Sequence, residues 1–205
     1  MKALDKLRWP LSSIAGLLVI VFYVVFMLIS AAIFPTSWTP FPYLSDFGSS
    51  SLNPHGAVFY NLACILTGIM LFPFYIGLYK WYTKLQWRNI LIMITQIIGV
   101  ASGFSLIMIG VFNEDYMSAH VMWSDIFFFL NLLVLIFANV SLITHPSFIK
   151  PIAIYGFIVA AINFALVFIT GSSIVEWFTV FTALAYAGLL VINMLKAFRP
   201  TSKGR

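Results

Sequence analysis

Few residues in this sequence could begin any chemistry. Asp46, Asn53, His55 and Asn61 stand in or just after the one long polar interruption of a chain that is otherwise hydrophobic. His120, Ser124, Asp125 and Asn131 follow as a second group, and Glu176 comes shortly after a Gly-Ser-Ser turn. Around them the sequence is 62% hydrophobic and 8% charged, with a mean hydropathy of +1.02. Soluble domains hold about 45–50% apolar and about 25% charged residues. An ionisable side chain in such surroundings is costly to keep, which makes each of these a candidate for facing an interior or a water-filled cavity.

A histidine near carboxylates can act as a general acid or base, because it titrates near neutrality and a carboxylate can orient its ring. On that ground Asp46, His120, Asp125 and Glu176 are the catalytic candidates, and Asn53, His55, Asn61, Ser124 and Asn131 would contact a substrate. Two histidines and a carboxylate would also suit zinc. There is no His-x-x-x-His or comparable spacing, however, so no metal or other cofactor is predicted and zinc stays an alternative. A nucleotide-binding loop and a nucleophilic-serine motif are both missing from the sequence.

Each candidate also has a purely structural use. Asp46 can tighten the Ser45-Asp46-Phe47-Gly48 turn, His55 can be an exposed residue ahead of a helix, and Glu176 can complement a helix N-terminus. Glu114 and Asp115 suit a solvated connection. For His120 with Ser124, structural hydrogen bonding competes with chemistry on equal terms.

The elements that must position these residues are apolar runs at 12–34, 57–79, 89–111, 121–143, 152–170 and 174–196. Most match the roughly 20 residues that cross a bilayer. The fold class expected is therefore all-α, a single domain over 1–205 built as a bundle of six transmembrane helices. The segment 35–56, punctuated by Pro35, Pro40, Pro42 and Pro54, forms an ordered loop outside the hydrocarbon. The first run follows Lys2, Lys6 and Arg8 as a signal peptide would, but it exceeds the roughly 7–15 residues of such a segment and is expected to stay uncleaved.

Charge supports this helix count. With both termini cytoplasmic, all 11 Lys and Arg residues fall on the inner side, at Lys2, Lys6, Arg8, Lys80, Lys84, Arg88, Lys150, Lys196, Arg199, Lys203 and Arg205. That is the asymmetry of a multi-pass protein of the cell membrane. The net charge of +5 is thereby explained without nucleic acid. Asp46, Glu114, Asp115, Asp125 and Glu176 all fall at the outer side. Cys64 is the sole cysteine, so no intrachain disulfide forms.

Helical spacing places Gln96, Gly99, Gly103 and Gly110 on one face of the third helix, and Gly156, Ala160 and Asn163 on one face of the fifth. Small residues in such stripes let helix backbones approach closely. Asn61, Cys64, Gly68 and Tyr75 align on the second helix. Glu176, Thr179, Ala183 and Ala187 form a seam on the sixth that reads as packing topped by a carboxylate. His120, Ser124 and Asn131 make a stripe on the fourth helix that is hard to place against lipid.

Ser45-Asp46-Phe47-Gly48, Asn53-Pro54 with Phe59 and Asn61, Gly110-Val111-Phe112 followed by His120, and Glu176-Trp177 together resemble a six-helix superfamily that includes the DRAM autophagy modulators. Within it the sequence looks most like the prokaryotic proteins classed as domain of unknown function nine hundred ninety-eight. Asn113 departs from the pattern, since microbial relatives often have Pro after Gly-x-Phe. The resemblance implies six helices and a polar cluster on the outer side, and some relatives are tied to membrane-lipid remodelling.

The expectation is a lipid-interacting membrane protein with a polar outer-leaflet site, where lipid-modifying hydrolase or transferase activity is open. Its partners would be membrane lipids. The alternatives are a non-catalytic accessory subunit of a larger membrane complex or homo-oligomer, and a small transporter or proton-coupled channel using Asp125, Glu176 and His120 as a relay.

Overall fold

The computed structural model describes residues 9–35, 41–166, 168 and 172–198. Six α-helices account for most of them: α1 Leu11–Ala32, α2 Ala57–Ile76, α3 Gln86–Val111, α4 Met117–Leu142, α5 Lys150–Leu166 and α6 Ser173–Phe198. Five spans are long and apolar enough to cross a membrane, and α5, at 17 residues, is shorter. The expected continuation of the fifth helix to 170 falls on residues of which 167, 169 and 170 lie outside those described.

Each helix buries a stripe rather than a full circumference. On α1, Ser12, Ala15, Gly16, Val19, Tyr23, Met27 and Ser30 are buried at the three-and-four spacing that keeps one face of a helix inward, with Ser13 and Ala31 buried beside them. The helices α1 to α4 pack tightly as successive neighbours, while α6 returns against α1 and α5 joins α4 to α6 more loosely. That looser corner matters for the site.

The backbones of α2 and α3 approach closely along the small-residue face expected of α3. A Cβ on Gly68 would stand 2.5 Å from the carbonyl oxygen of Gly103, and one on Gly103 would stand 2.8 Å from that of Gly68. A side chain at either position would push the helices apart. Toward the loop end of the same interface, a Cβ on Gly110 would meet the Asn61 carbonyl oxygen at 2.6 Å.

Three helix boundaries differ from the hydropathy reading for local reasons. The second helix ends at Ile76 and tightens into a 3₁₀ turn, Gly77–Trp81. Pro73 lacks the N–H that would bond the turn before it, and the Gly77 N–H reaches back to the carbonyls of both Pro73 and Tyr75. The fourth helix starts at Met117, because a 3₁₀ turn at Glu114–Tyr116 feeds directly into it. His120 therefore sits in its first turn. The third helix begins earlier than expected, at Gln86, after the Thr83 and Asn89 groups close the turn between them.

The end of the bundle opposite the 41–56 loop is held by polar clasps around an aromatic plug. Buried Arg88 donates from Nε to Thr144 Oγ1 at 3.1 Å and from a terminal nitrogen to the Thr144 carbonyl at 2.6 Å. Asn193 of α6 accepts from the Ile149 N–H at 2.8 Å and donates to the Ser147 carbonyl at 3.2 Å, fixing the α4–α5 connection. Trp81, fully buried, packs edge-on against His145, Phe148 and Phe198.

Candidate functional site

The polar loop folds down onto three helices. Its 3₁₀ turn, Ser45–Gly48, carries Phe47, which is fully buried against Phe34, Tyr60 and Trp177. Asn53, also fully buried, holds the turn in place: its Nδ2 donates to the Phe47 carbonyl at 3.0 Å and to Ser30 Oγ at 3.0 Å, and its Oδ1 accepts from the Gly56 N–H at 3.1 Å. Ser30 of α1 completes the knot by donating to the Gly56 and Phe47 carbonyls. Asn61 of α2 donates to the Gly48 carbonyl at 3.1 Å.

Glu176, in the first turn of α6, reaches under this loop. One of its carboxyl oxygens accepts from the Leu44 N–H at 2.7 Å and from the Ser45 N–H at 3.5 Å. Trp177 donates from its indole to the Pro42 carbonyl at 2.9 Å, so two consecutive residues of α6 grip the loop. Asp46 accepts from its own turn, the Tyr43 N–H, at 2.8 Å. Its carboxyl also comes within hydrogen-bonding reach of Glu114, and Glu176 lies within electrostatic range of both. Two carboxyl groups can hydrogen-bond to each other only while one carries a proton.

Asp115 has a different task. It accepts from Ser49 Oγ at 2.9 Å and from the Ser50 N–H at 2.9 Å, tying the α3–α4 connection to the loop. Asp115 is exposed, as expected, while it makes these contacts; Glu114 is instead half-buried, with its carboxyl within hydrogen-bonding reach of Asp46. Neither contact has a local sequence signal, since the partners are more than sixty residues away.

Below the mouth lies a cavity of about 90 Å³ inside the bundle, lined mostly by α2, α4 and α6 with side chains of α1 and α3. Its lining runs along α2 from Tyr60 to Tyr75, a length of about 22 Å at the helical rise of about 1.5 Å per residue. It is a narrow cleft. Glu176 lines its upper end, followed down α6 by Thr179, Ala183 and Ala187. The seam that reads as packing is the wall of this cavity, to which all six helices contribute, α5 through Asn163 alone.

The structure divides the sequence candidates. Asp46 and Glu176 meet at the mouth, and Ser124 and Asn131 line the cavity. Asn131 donates to Ser102 Oγ at 3.1 Å and to the Phe127 carbonyl. His120 shares their helix face only in part: it is buried, and its Nδ1 lies 2.9 Å from the Phe112 carbonyl, where it closes the α3–α4 connection. Asp125 is exposed and makes no hydrogen bond to the described residues. His55 is exposed too. Asn53 and Asn61 spend their amides on the loop.

Sequence reasoning passes over Thr67. It is 3% exposed, lines the cavity, and its hydroxyl has no hydrogen-bond partner among the described residues. Its place one turn below Cys64 on the polar face of α2 is the available signal. Among the described residues no three His, Cys, Asp or Glu side chains converge as metal ligands.

No protein-family model matches the chain, and neither a curated protein nor a solved structure is significantly similar to it.

Proposed function

We propose that this is an integral membrane protein of the cell membrane that engages lipid through a headgroup site at the outer leaflet. Both termini would lie in the cytoplasm, with the 41–56 loop as the lid of the site. One observation carries the reading: Glu176, a carboxylate on an apolar helix, stands where a loop-covered mouth meets a cleft between loosely packed helices. Such a carboxylate is expensive in a bilayer and is kept where it meets a partner. The loose corner between α4, α5 and α6 is where a headgroup would enter sideways from the membrane. The resemblance to a superfamily with lipid-remodelling members points the same way.

Asp46 and Glu114 would complete the headgroup contacts beside Glu176. His120 and Asp125, set apart from them, would not. Native mass spectrometry of protein extracted in mild detergent tests the reading: wild type should retain lipid, and Glu176→Gln should retain less. Complete absence of retained lipid in both would reject it.

A proton-coupled transporter is the second reading. It is favoured by the hydroxyl pair Tyr23 and Tyr60, 3.3 Å apart at the cleft, with Glu176 in electrostatic range. Proteoliposomes with no pH-driven flux would remove it.

A further inference from the structure

We infer that the outer half of α4 docks a transmembrane helix of another protein, one that carries a lysine or arginine level with Asp125. The inference rests on the membrane placement proposed above and is independent of the headgroup site. Asp125 lies about 12 Å along α4 from Met117, at a rise of about 1.5 Å per residue. It is exposed, and among the described residues it has neither a hydrogen bond nor an ion pair. A carboxylate beside hydrocarbon is costly and is kept where it meets a partner. Lys and Arg reach back to the headgroups on long stems, but an aspartate has one methylene and stays where its helix puts it.

The helix around Asp125 is the least covered of the long spans. Over its most apolar stretch α4 buries 17% of its residues, against 33 to 50% for the other four. The residues it does bury lie in its inner half from Val134 onward, with His120 the exception. Met122, Asp125, Phe129, Ile136 and Val140 are all exposed. At about 100° per residue they fall within an arc of about 60°, while Ser124 and Asn131 turn instead to the cavity. Such a stripe is what a second helix packs against. An apolar stripe alone would suit lipid equally well, and the carboxylate in it decides against that.

The partner's charge follows from what this chain lacks. No Lys or Arg occurs in 9–79, 89–149 or 151–195, and the described basic residues stand at the end of the bundle opposite the 41–56 loop. A second copy in the same orientation would set Asp125 against Asp125, like charge against like, with no cation at that level. A metal ion would need further ligands, and no such group converges among the described residues. A helix of a different protein with a Lys or Arg at this depth supplies the opposite charge and the donors together, as a charge-assisted hydrogen bond away from water.

The full chain would be reconstituted in phosphatidylcholine liposomes with a donor fluorophore at its N-terminus. Leucine-rich transmembrane peptides bearing an acceptor, with either one Lys about 12 Å from the outer end or a Leu in its place, serve as probes. The Lys peptide should reach half-maximal energy transfer at a peptide-to-lipid ratio about tenfold or more below that of the Leu peptide, the scale of a charge-assisted hydrogen bond. Asp125→Asn should abolish this preference and Asp125→Glu should keep most of it. Phe129→Ala, on the same stripe, should weaken Lys-peptide binding several-fold, whereas Ile97→Ala on the exposed face of α3 should leave it unchanged. Asp125 holds nothing in place within the chain, so Asp125→Asn should melt no lower than wild type. No preference for Lys in wild type, or a preference that survives in Asp125→Asn, overturns the inference. Stabilisation of wild type but not of Asp125→Asn by phosphatidylethanolamine, with no peptide preference, overturns it too and assigns the face to a lipid headgroup. A chain that fails to enter bilayers would reject the membrane placement and this inference with it. Absence of retained lipid in native mass spectrometry would reject the headgroup site and leave the docking face standing.

Discussion

Glu176 of α6 and Leu44 of the 41–56 loop are joined by a 2.7 Å hydrogen bond that spans 132 positions of sequence. The bond makes the lid depend on the same carboxylate that lines the cavity. Removing the acceptor should therefore do two things at once. Glu176→Ala leaves the Leu44 N–H buried without a partner and should cost about 1–3 kcal/mol, whereas Glu176→Gln keeps a carbonyl oxygen and should cost less. Hydrogen exchange of the Leu44 amide in detergent micelles checks this: fast exchange is expected in the alanine variant, slow exchange in wild type.

Asn53 and Ser30 form a buried knot with no solvent to replace either partner. Asn53→Ala strips donors from Ser30 Oγ and the Phe47 carbonyl and the acceptor from Gly56 N–H. A loss of roughly 2–3 kcal/mol is expected from the unsatisfied groups, with Ser30→Ala costing less. The double variant should be markedly less than additive, since both substitutions break one network. Thermal unfolding in detergent measures all three.

The bundle was legible in the sequence because its helices are written as long apolar runs, five of them long and apolar enough to cross a membrane, and the small-residue stripe on α3 marked a close-packing face. The site was only half legible. Asp46 and Glu176 could be named as unusual carboxylates, but their meeting depends on how a loop closes. Asp115 is exposed as it looks, but its contacts, like the partial burial of Glu114, depend on a distant loop that the local sequence does not reveal. His120 and Asp125 differ by five positions, yet one turns into the α3–α4 junction and the other to the outside, a distinction that periodicity alone leaves open. The cavity itself was invisible for a simpler reason: Thr179, Ala183 and Ala187 would look the same facing a helix or facing a gap.

Gly68 and Gly103 provide the test of helix contact. A methyl group at Gly68 would stand 2.5 Å from a backbone oxygen, which cannot rotate away. Gly68→Ala should thus destabilise by about 1–3 kcal/mol, as overpacking does. Gly188→Ala is the control, because its nearest obstacle is the flexible end of Ile20 at 3.3 Å. It should fall within about 0.5 kcal/mol of wild type or be slightly stabilising, as expected for a Gly-to-Ala change in a helix. Unfolding by a denaturing detergent, compared across the two variants, decides the matter.

His145 gives the protein a pH-dependent contact far from the site. Its ring sits 4.9 Å from that of Trp81, edge to face, in the connection after α4. Burial holds its pKa below the ordinary 6.5, and the nearby Arg88 charge pushes it the same way. The unfolded chain therefore binds a proton here at a higher pH than the folded one does. The stabilising contribution of the neutral ring is fully present above about pH 6.5 and is lost as the pH falls through the lower folded-state value. Wild type should melt at a lower temperature at pH 5 than at pH 7.5. His145→Gln, which cannot take up the proton, should show a smaller drop over the same interval. If the two drops are equal, another group sets the acid sensitivity of this end of the bundle.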